Sequence, residues 1–184
     1  MAILSVTTRH LSLRPPEIGD AETLMRLMTP SISRWTATWP NPVSMTEAHR
    51  RIERALAANE DGSGLNYHIH LEPTGPMIGG VGCGVKGGGV GRAELGYWIG
   101  EEFQGHGYIG EALMPFVSAV FAKLGVERIE AGTQPDNVAS KAVLARLGFQ
   151  ATGSRMLFVT NRQREETTDY FELARSNWEG GSAN

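Results

Sequence analysis

Glycine is the feature that most constrains this chain. There are 23 glycines in 184 residues, and thirteen of them fall between Gly79 and Gly110. A flexible linker scatters glycine among polar residues, whereas these glycines interrupt apolar, strand-forming runs. Glycine weakens a strand or helix that contains it. Such a concentration therefore marks a backbone that takes unusual angles or closely approaches something else.

The stretch that carries chemistry is Gly96-Tyr97-Trp98-Ile99 followed by Gln104-Gly105-His106-Gly107-Tyr108-Ile109-Gly110-Glu111-Ala112-Leu113. It reads as a strand, a glycine turn and the start of a helix. The first backbone N–H groups of a helix are unpaired donors, and the helix dipole adds partial positive charge there. Glycines allow the turn to wrap a phosphate or pyrophosphate. The competing reading is a tight turn whose glycines serve only helix packing. A P-loop requires Gly-Lys-Ser/Thr, but Glu111 follows Gly110. A dinucleotide fingerprint belongs after the first strand of a βαβ unit, and here the turn follows strands that read as antiparallel.

The rest of the chain supplies the frame. Residues 8–14 alternate polar and apolar before Pro15-Pro16, the signature of a strand. A helix is expected over 21–28 with Asp20 as its cap, and a second from Ser44-Met45-Thr46-Glu47 to about Asn59. Tyr67–Leu71, Met77–Val85 and Arg92–Ile99 read as strands, the last two joined by the glycine-rich tip Lys86–Gly91. A helix follows to about Leu124, with Leu113, Phe116, Val117 and Val120 on one stripe and Pro115 expected to kink it. Then come a strand over 127–132, a helix from Asn137 to Leu147 stopped by Gly148, and two strands over 149–159 and 168–174. Residues 8–175 form one expected domain, and 176–184 a loose tail. The order β-α-α-β-β-β-α-β-α-β-β makes a mixed α/β sheet flanked by helices.

Three segments in order resemble the GNAT N-acetyltransferase superfamily. The turn is similar to its coenzyme A pyrophosphate loop, Arg/Gln-x-x-Gly-x-Gly/Ala, with Gln104, Gly107 and Ile109 at the defined positions. Ile109 departs from the usual small residue, and Gly110 follows it. Asn137-Val138-Ala139-Ser140 with Leu147-Gly148-Phe149 resembles the Asn-x-x-Ser/Ala…Leu-Gly-Phe motif. Arg9-His10-Leu11-Ser12-Leu13-Arg14-Pro15 resembles the opening of the RimJ/RimL branch, whose members acetylate N-terminal residues of ribosomal proteins.

The resemblance implies a mostly antiparallel sheet of about seven strands with one splayed parallel pair, Leu95–Ile99 and Glu127–Gly132, and about four helices. It implies acetyl-CoA as co-substrate. The main chain at Trp98 and Ile99 would meet pantetheine, and Gln104, Gly105, His106, Gly107, Tyr108, Ile109 and Gly110 the pyrophosphate. Asn137 and Ser140 would face the coenzyme, although Asn137 alone reads equally as a helix cap. Many relatives carry a tyrosine one turn further along that helix. Here Leu144 takes the place, which leaves Ser140 or a water to protonate the leaving thiolate. Period-two alternation puts Glu94, Gly96 and Trp98 on one strand face, making Glu94 the candidate base; its alternative is an ordinary ion-paired strand residue. Trp35 and Trp39 lie where the family forms a wall of the acceptor pocket, and are otherwise packing residues.

The expected reaction is acetyl transfer to a primary amine by direct attack in a ternary complex, with a protein N-terminus as acceptor. Small-amine acetylation, a non-catalytic acyl-CoA-binding domain and a nucleotide-binding protein are the alternatives. Net charge is −3, which argues against a module held to nucleic acid by phosphate contacts. The one cysteine, Cys83, excludes an internal disulfide. His68 and His70 share a strand face without a clear third ligand, so no metal is expected. With no long apolar stretch, a cytoplasmic monomer or homodimer away from membranes is the default.

Overall fold

The computed structural model describes residues 5–72, 74–86 and 91–181. Eight strands occur among them: β1 (Val6–Thr7), β2 (Leu11–Arg14), β3 (Gly64–Leu71), β4 (Met77–Val85), β5 (Arg92–Ile99), β6 (Arg128–Thr133), β7 (Gln150–Val159) and β8 (Arg164–Ala174). The helices are α1 (Ala21–Leu27), α2 (Pro30–Ser33), α3 (Met45–Asp61), α4 (Tyr108–Leu124), α5 (Val138–Arg146) and α6 (Arg175–Gly181). They form one mixed α/β sheet in the order β1-β2-β3-β4-β5-β6-β8-β7. Only β5 and β6 pair in parallel; every other neighbour is antiparallel.

Strand alternation sorts the side chains between two layers. Leu65, Tyr67 and Ile69 of β3 and Ala93 and Leu95 of β5 pack with the stripe Leu113, Phe116, Val117 and Val120 of α4. All four stripe residues are fully buried, each worth about 2 kcal/mol or more in transfer free energy. On the opposite face, Leu24, Met28, Ile32, Ala48 and Ile52 form a second core, against which Trp39 and Trp98 pack. Gly148 stops α5 as expected, and Gly62 and Gly125 follow α3 and α4 in the same way; all three adopt positive φ. Ser44 caps α3 by accepting the Glu47 N–H at 3.2 Å.

The structure refines three expectations. Residues 176–181, expected to belong to a loose tail, lie in α6, and Trp178 donates to Ser118 Oγ at 3.0 Å. α4 runs unbroken through Pro115. Asp20 stands at the N-cap position of α1 but its side chain makes no cap bond; the carboxylate is turned inward and receives His68, Arg14 and the Glu17 N–H. Charged partners outcompete a lone N-cap bond here. The core of the Lys86–Gly91 tip lies outside the described residues.

Candidate active site

β5 and β6 are in register only from Arg92↔Arg128 to Leu95↔Ala131. β5 continues to Ile99 and β6 to Thr133, but their pairing has ended. Gly96–Ile99 still pair along their other edge with Gly79–Gly82 of β4. The two strands therefore part, and main-chain groups of β5 face the opening without a strand partner. Such groups readily pair with an extended ligand.

The glycine turn stands at the end of this opening. Gly105 and Gly107 both have φ of 80°, a region that side-chain-bearing residues adopt only with strain. Gly107 is the N-cap of α4, where no side chain caps the helix. A Cβ at Gly105, Gly107 or Gly110 would meet nothing within 4 Å. Packing inside the protein therefore does not explain these three glycines. With no side chain capping α4, the first amides of the helix are the unpaired donors that an anion cradle uses. Ile109 packs against the main core, so the exception to the loop pattern is absorbed inward while Gly110 stays bare.

Other expected site residues fall around the turn. Gln104 Nε2 donates to the Ile99 carbonyl at 3.4 Å, bracing the turn against the end of β5. His106 stacks on Tyr108, with ring centroids 5.4 Å apart. Glu111, in the first turn of α4, accepts from Thr8 Oγ1 at 2.6 Å and from the His10 N–H at 2.7 Å, and its other oxygen lies 2.9 Å from His10 Nδ1. Burial opposes its charge, but these bonds prevail and hold its pKa below the ordinary value. The contact ties the β1–β2 turn to the start of α4.

α5 enters from the far side of the opening. Asn137 is its cap, with Oδ1 accepting the Ser140 N–H at 3.1 Å. Ser140 Oγ lies 2.8 Å from the Tyr97 hydroxyl, which is also 3.3 Å from the Ser140 carbonyl. Burial pushes the Tyr97 phenol up to about 12. Leu144 is buried in the core, so the site has no tyrosine at that position. Tyr97 belongs to no motif that marks it in the sequence as a site residue. The available signal was alternation, which sets Tyr97 on the face opposite Glu94 and Trp98.

Glu94 stands in the paired half of β5, beside Glu130 of β6. Lys86 Nζ lies 2.9 Å from Glu94 and 3.6 Å from Glu130, while Arg155 reaches Glu130 at 2.6 Å. Glu94 is thus ion-paired, as its alternative reading anticipated. Its side chain is 41% exposed, so this pair is accessible and weak. The Trp98 ring lies on the same face, 6.0 Å from Trp39; its contribution to the opening is main chain. Arg51 covers Trp39 at 4.1 Å and Arg34 covers Trp35 at 4.2 Å, so each indole already carries a guanidinium. Asn161, at the β7–β8 turn, donates to the carbonyls of Ser33, Thr36 and Trp39. That turn and the tryptophan segment form one wall, a contact across more than a hundred residues of sequence.

His68 Nδ1 lies 2.6 Å from Asp20, and both are buried. Burial works against the charged Asp20, but bonds from His68, Glu17 and Arg14 hold its pKa well below the carboxylate range. Among the described residues, no cluster of three His, Cys, Asp or Glu suits a metal. Burial raises the Cys83 thiol to about 12. No helix among the described residues is long and apolar enough to cross a membrane.

A family model described as an acetyltransferase (GNAT) domain matches residues 10–150. The chain therefore belongs to the GNAT acetyltransferase family. It is an acetyl-CoA-dependent N-acetyltransferase. YoaA of Bacillus subtilis (strain 168), named an uncharacterized N-acetyltransferase, is 31% identical over 147 residues, 79% of this chain and 82% of that one. The protein named "Putative ribosomal N-acetyltransferase YdaF", from the same strain, is 28% identical over 181 residues, 93% of this chain and 94% of its own. Mycobacterium smegmatis RimJ, solved in complex with CoA-disulfide, shares the fold with a TM-score of 0.80, covering 90% of this chain and 82% of that chain at 24% identity.

Proposed function

We propose that this enzyme acetylates the N-terminal amine of a protein. The observation that carries the reading is the parting of β5 and β6 beside a bare glycine turn that opens α4. That geometry suits a thioester arm lying along Gly96–Ile99 with its pyrophosphate on the amides of residues 105–110. Asn137 and Ser140 approach the arm from α5. The amino-terminal motif and the name given to YdaF support a protein acceptor.

The chemistry needs few groups. An α-amine has a pKa of about 8, so a carboxylate acting through water suffices to deprotonate it. Glu94 takes this role from the face that carries Trp98, with Trp35 and Trp39 walling the acceptor. The amine nitrogen attacks the thioester carbon, and the carbonyl π pair moves to oxygen. Collapse of that intermediate expels the sulfur with its bonding pair, toward Ser140.

Release of coenzyme A from acetyl-CoA, followed as free thiol, tests the reading. Acceptors would be peptides of varied N-terminal residue, amino acids, polyamines and aminoglycosides. Selective turnover on peptides is expected; turnover only on small amines would overturn the protein acceptor. Binding of acetyl-CoA without turnover on any acceptor would favour a non-catalytic acyl-CoA-binding domain. Glu94→Gln should lower kcat by about tenfold or more and spare acetyl-CoA affinity. If neither constant changes, Glu94 is not the base.

A further inference from the structure

We propose that Tyr97 is a positioning residue for the leaving-group step: its hydroxyl orients Ser140 Oγ–H toward the departing sulfur. The proposal rests on the assignment of Ser140 to that step. Tyr97 lies on β5 beyond the last residue paired with β6, and its hydroxyl reaches the first turn of α5 at 2.8 Å. It thereby joins the two walls of the opening. Ser140 can be held in two ways. Either it donates to the tyrosine oxygen, and Tyr97 donates to the Ser140 carbonyl at 3.3 Å. Or Tyr97 donates to Ser140 Oγ, which releases the serine proton to point elsewhere. A thiolate at the mouth of the opening selects the second arrangement, because a charged acceptor binds a hydroxyl more strongly than a neutral one.

Chemistry limits the tyrosine to this role. A thiol has a pKa of about 8.5, whereas burial lifts the Tyr97 phenol to about 12. Tyr97 therefore stays protonated beside the thiolate and donates a hydrogen bond without giving up its proton. The balance is complete without it: the C–N bond forms, the C–S bond breaks, and sulfur leaves with the pair. The amine's proton passes to the base and water, and water later protonates the thiolate. Leu144 explains why such a pair is needed, since at that position the helix offers sulfur a buried hydrocarbon.

The test is a double-mutant cycle of Tyr97→Phe and Ser140→Ala, read as kcat and single-turnover rate, with KM for acetyl-CoA measured alongside. Tyr97→Phe keeps the ring and its packing. The expected result is a fall in rate of about tenfold with KM for acetyl-CoA within about twofold. The double variant should be no slower than Ser140→Ala alone, because Tyr97 acts through Ser140. Retained rate in Tyr97→Phe, a rise confined to KM, or losses that multiply in the double variant would each overturn the proposal. Full activity in Ser140→Ala would instead overturn the assignment on which it rests. Thermal unfolding of each variant with and without acetyl-CoA separates these results from misfolding.

Discussion

β5 and β6 behave as two different structures along their length. From Arg92 to Leu95 they pair in register, and their outward side chains consume one another: Lys86 and Arg155 hold Glu94 and Glu130, while Arg92 and Arg128 hold Glu172. Beyond Leu95 the strands separate, charged side chains give way to Gly96, Tyr97, Trp98 and Ile99, the free groups are main chain, and the Tyr97 hydroxyl is engaged by Ser140. The closed half holds the sheet together, and the open half is where a ligand can replace a missing strand neighbour. Catalytic potential here comes from an interrupted hydrogen-bond ladder more than from a concentration of titratable groups. Glu94, the proposed base, is the exception, because it stands in the closed half.

The strongest way to break this contrast is at the glycine turn of the open half. Gly107→Val places a β-branched residue at φ of 80° where the N-cap amide must stay accessible. Strain of about 1–2 kcal/mol and loss of the cradle should raise KM for acetyl-CoA by roughly 30-fold or more, measured by steady-state kinetics. An unchanged KM would remove the turn from the coenzyme site.

In the closed half, Glu130→Gln should do the reverse. It releases Arg155 and Lys86 from a half-accessible ion pair, lowering stability by about 1 kcal/mol or less in urea titration. KM for acetyl-CoA should not move. A large kinetic effect would show that the two halves are coupled.

The smallest effect sharpens the comparison from outside it. Burial, with the Arg14 charge beside it, lowers the pKa of His70, so the folded protein keeps this histidine neutral. The unfolded chain then binds more protons below about pH 6.5. Stability should rise as pH climbs toward that value and flatten above it. His70→Gln should remove much of that rise in melting temperature, while the pH dependence of kcat stays as it was. If the kinetic profile moves with it, β3 and the open half are linked.

Much of the frame was legible in the sequence. The stripe Leu113, Phe116, Val117, Val120 announced α4 and its buried face, because a 3.6-residue period has few other uses. Gly148 announced a helix end, because it needs a left-handed backbone, and Gly62 and Gly125 serve the same way in the structure. Asn137 read as a cap and is one. Glu94 read as either a base or an ion-paired strand residue; its pairing with Lys86 is found, and its catalytic role is left to Glu94→Gln. Asp20 marked the start of α1, but a cap signal is local, and the partners its carboxylate takes, Arg14 and His68, come from β2 and β3. The two tryptophans read as an acceptor wall or as packing residues; Trp39 packs against the second core, and Arg34 and Arg51 cover the two indoles.

The sequence by itself determined the elements, their order and the glycine turn, since period, caps and backbone angles are properties of neighbouring residues. Only the tertiary structure decided where β5 leaves β6, that Tyr97 meets Ser140 across the gap, and that Asn161 ties the β7–β8 turn to the segment holding Trp39. Each of these joins residues far apart in the chain. Such contacts depend on how strands diverge and layers stack, and no local pattern encodes that.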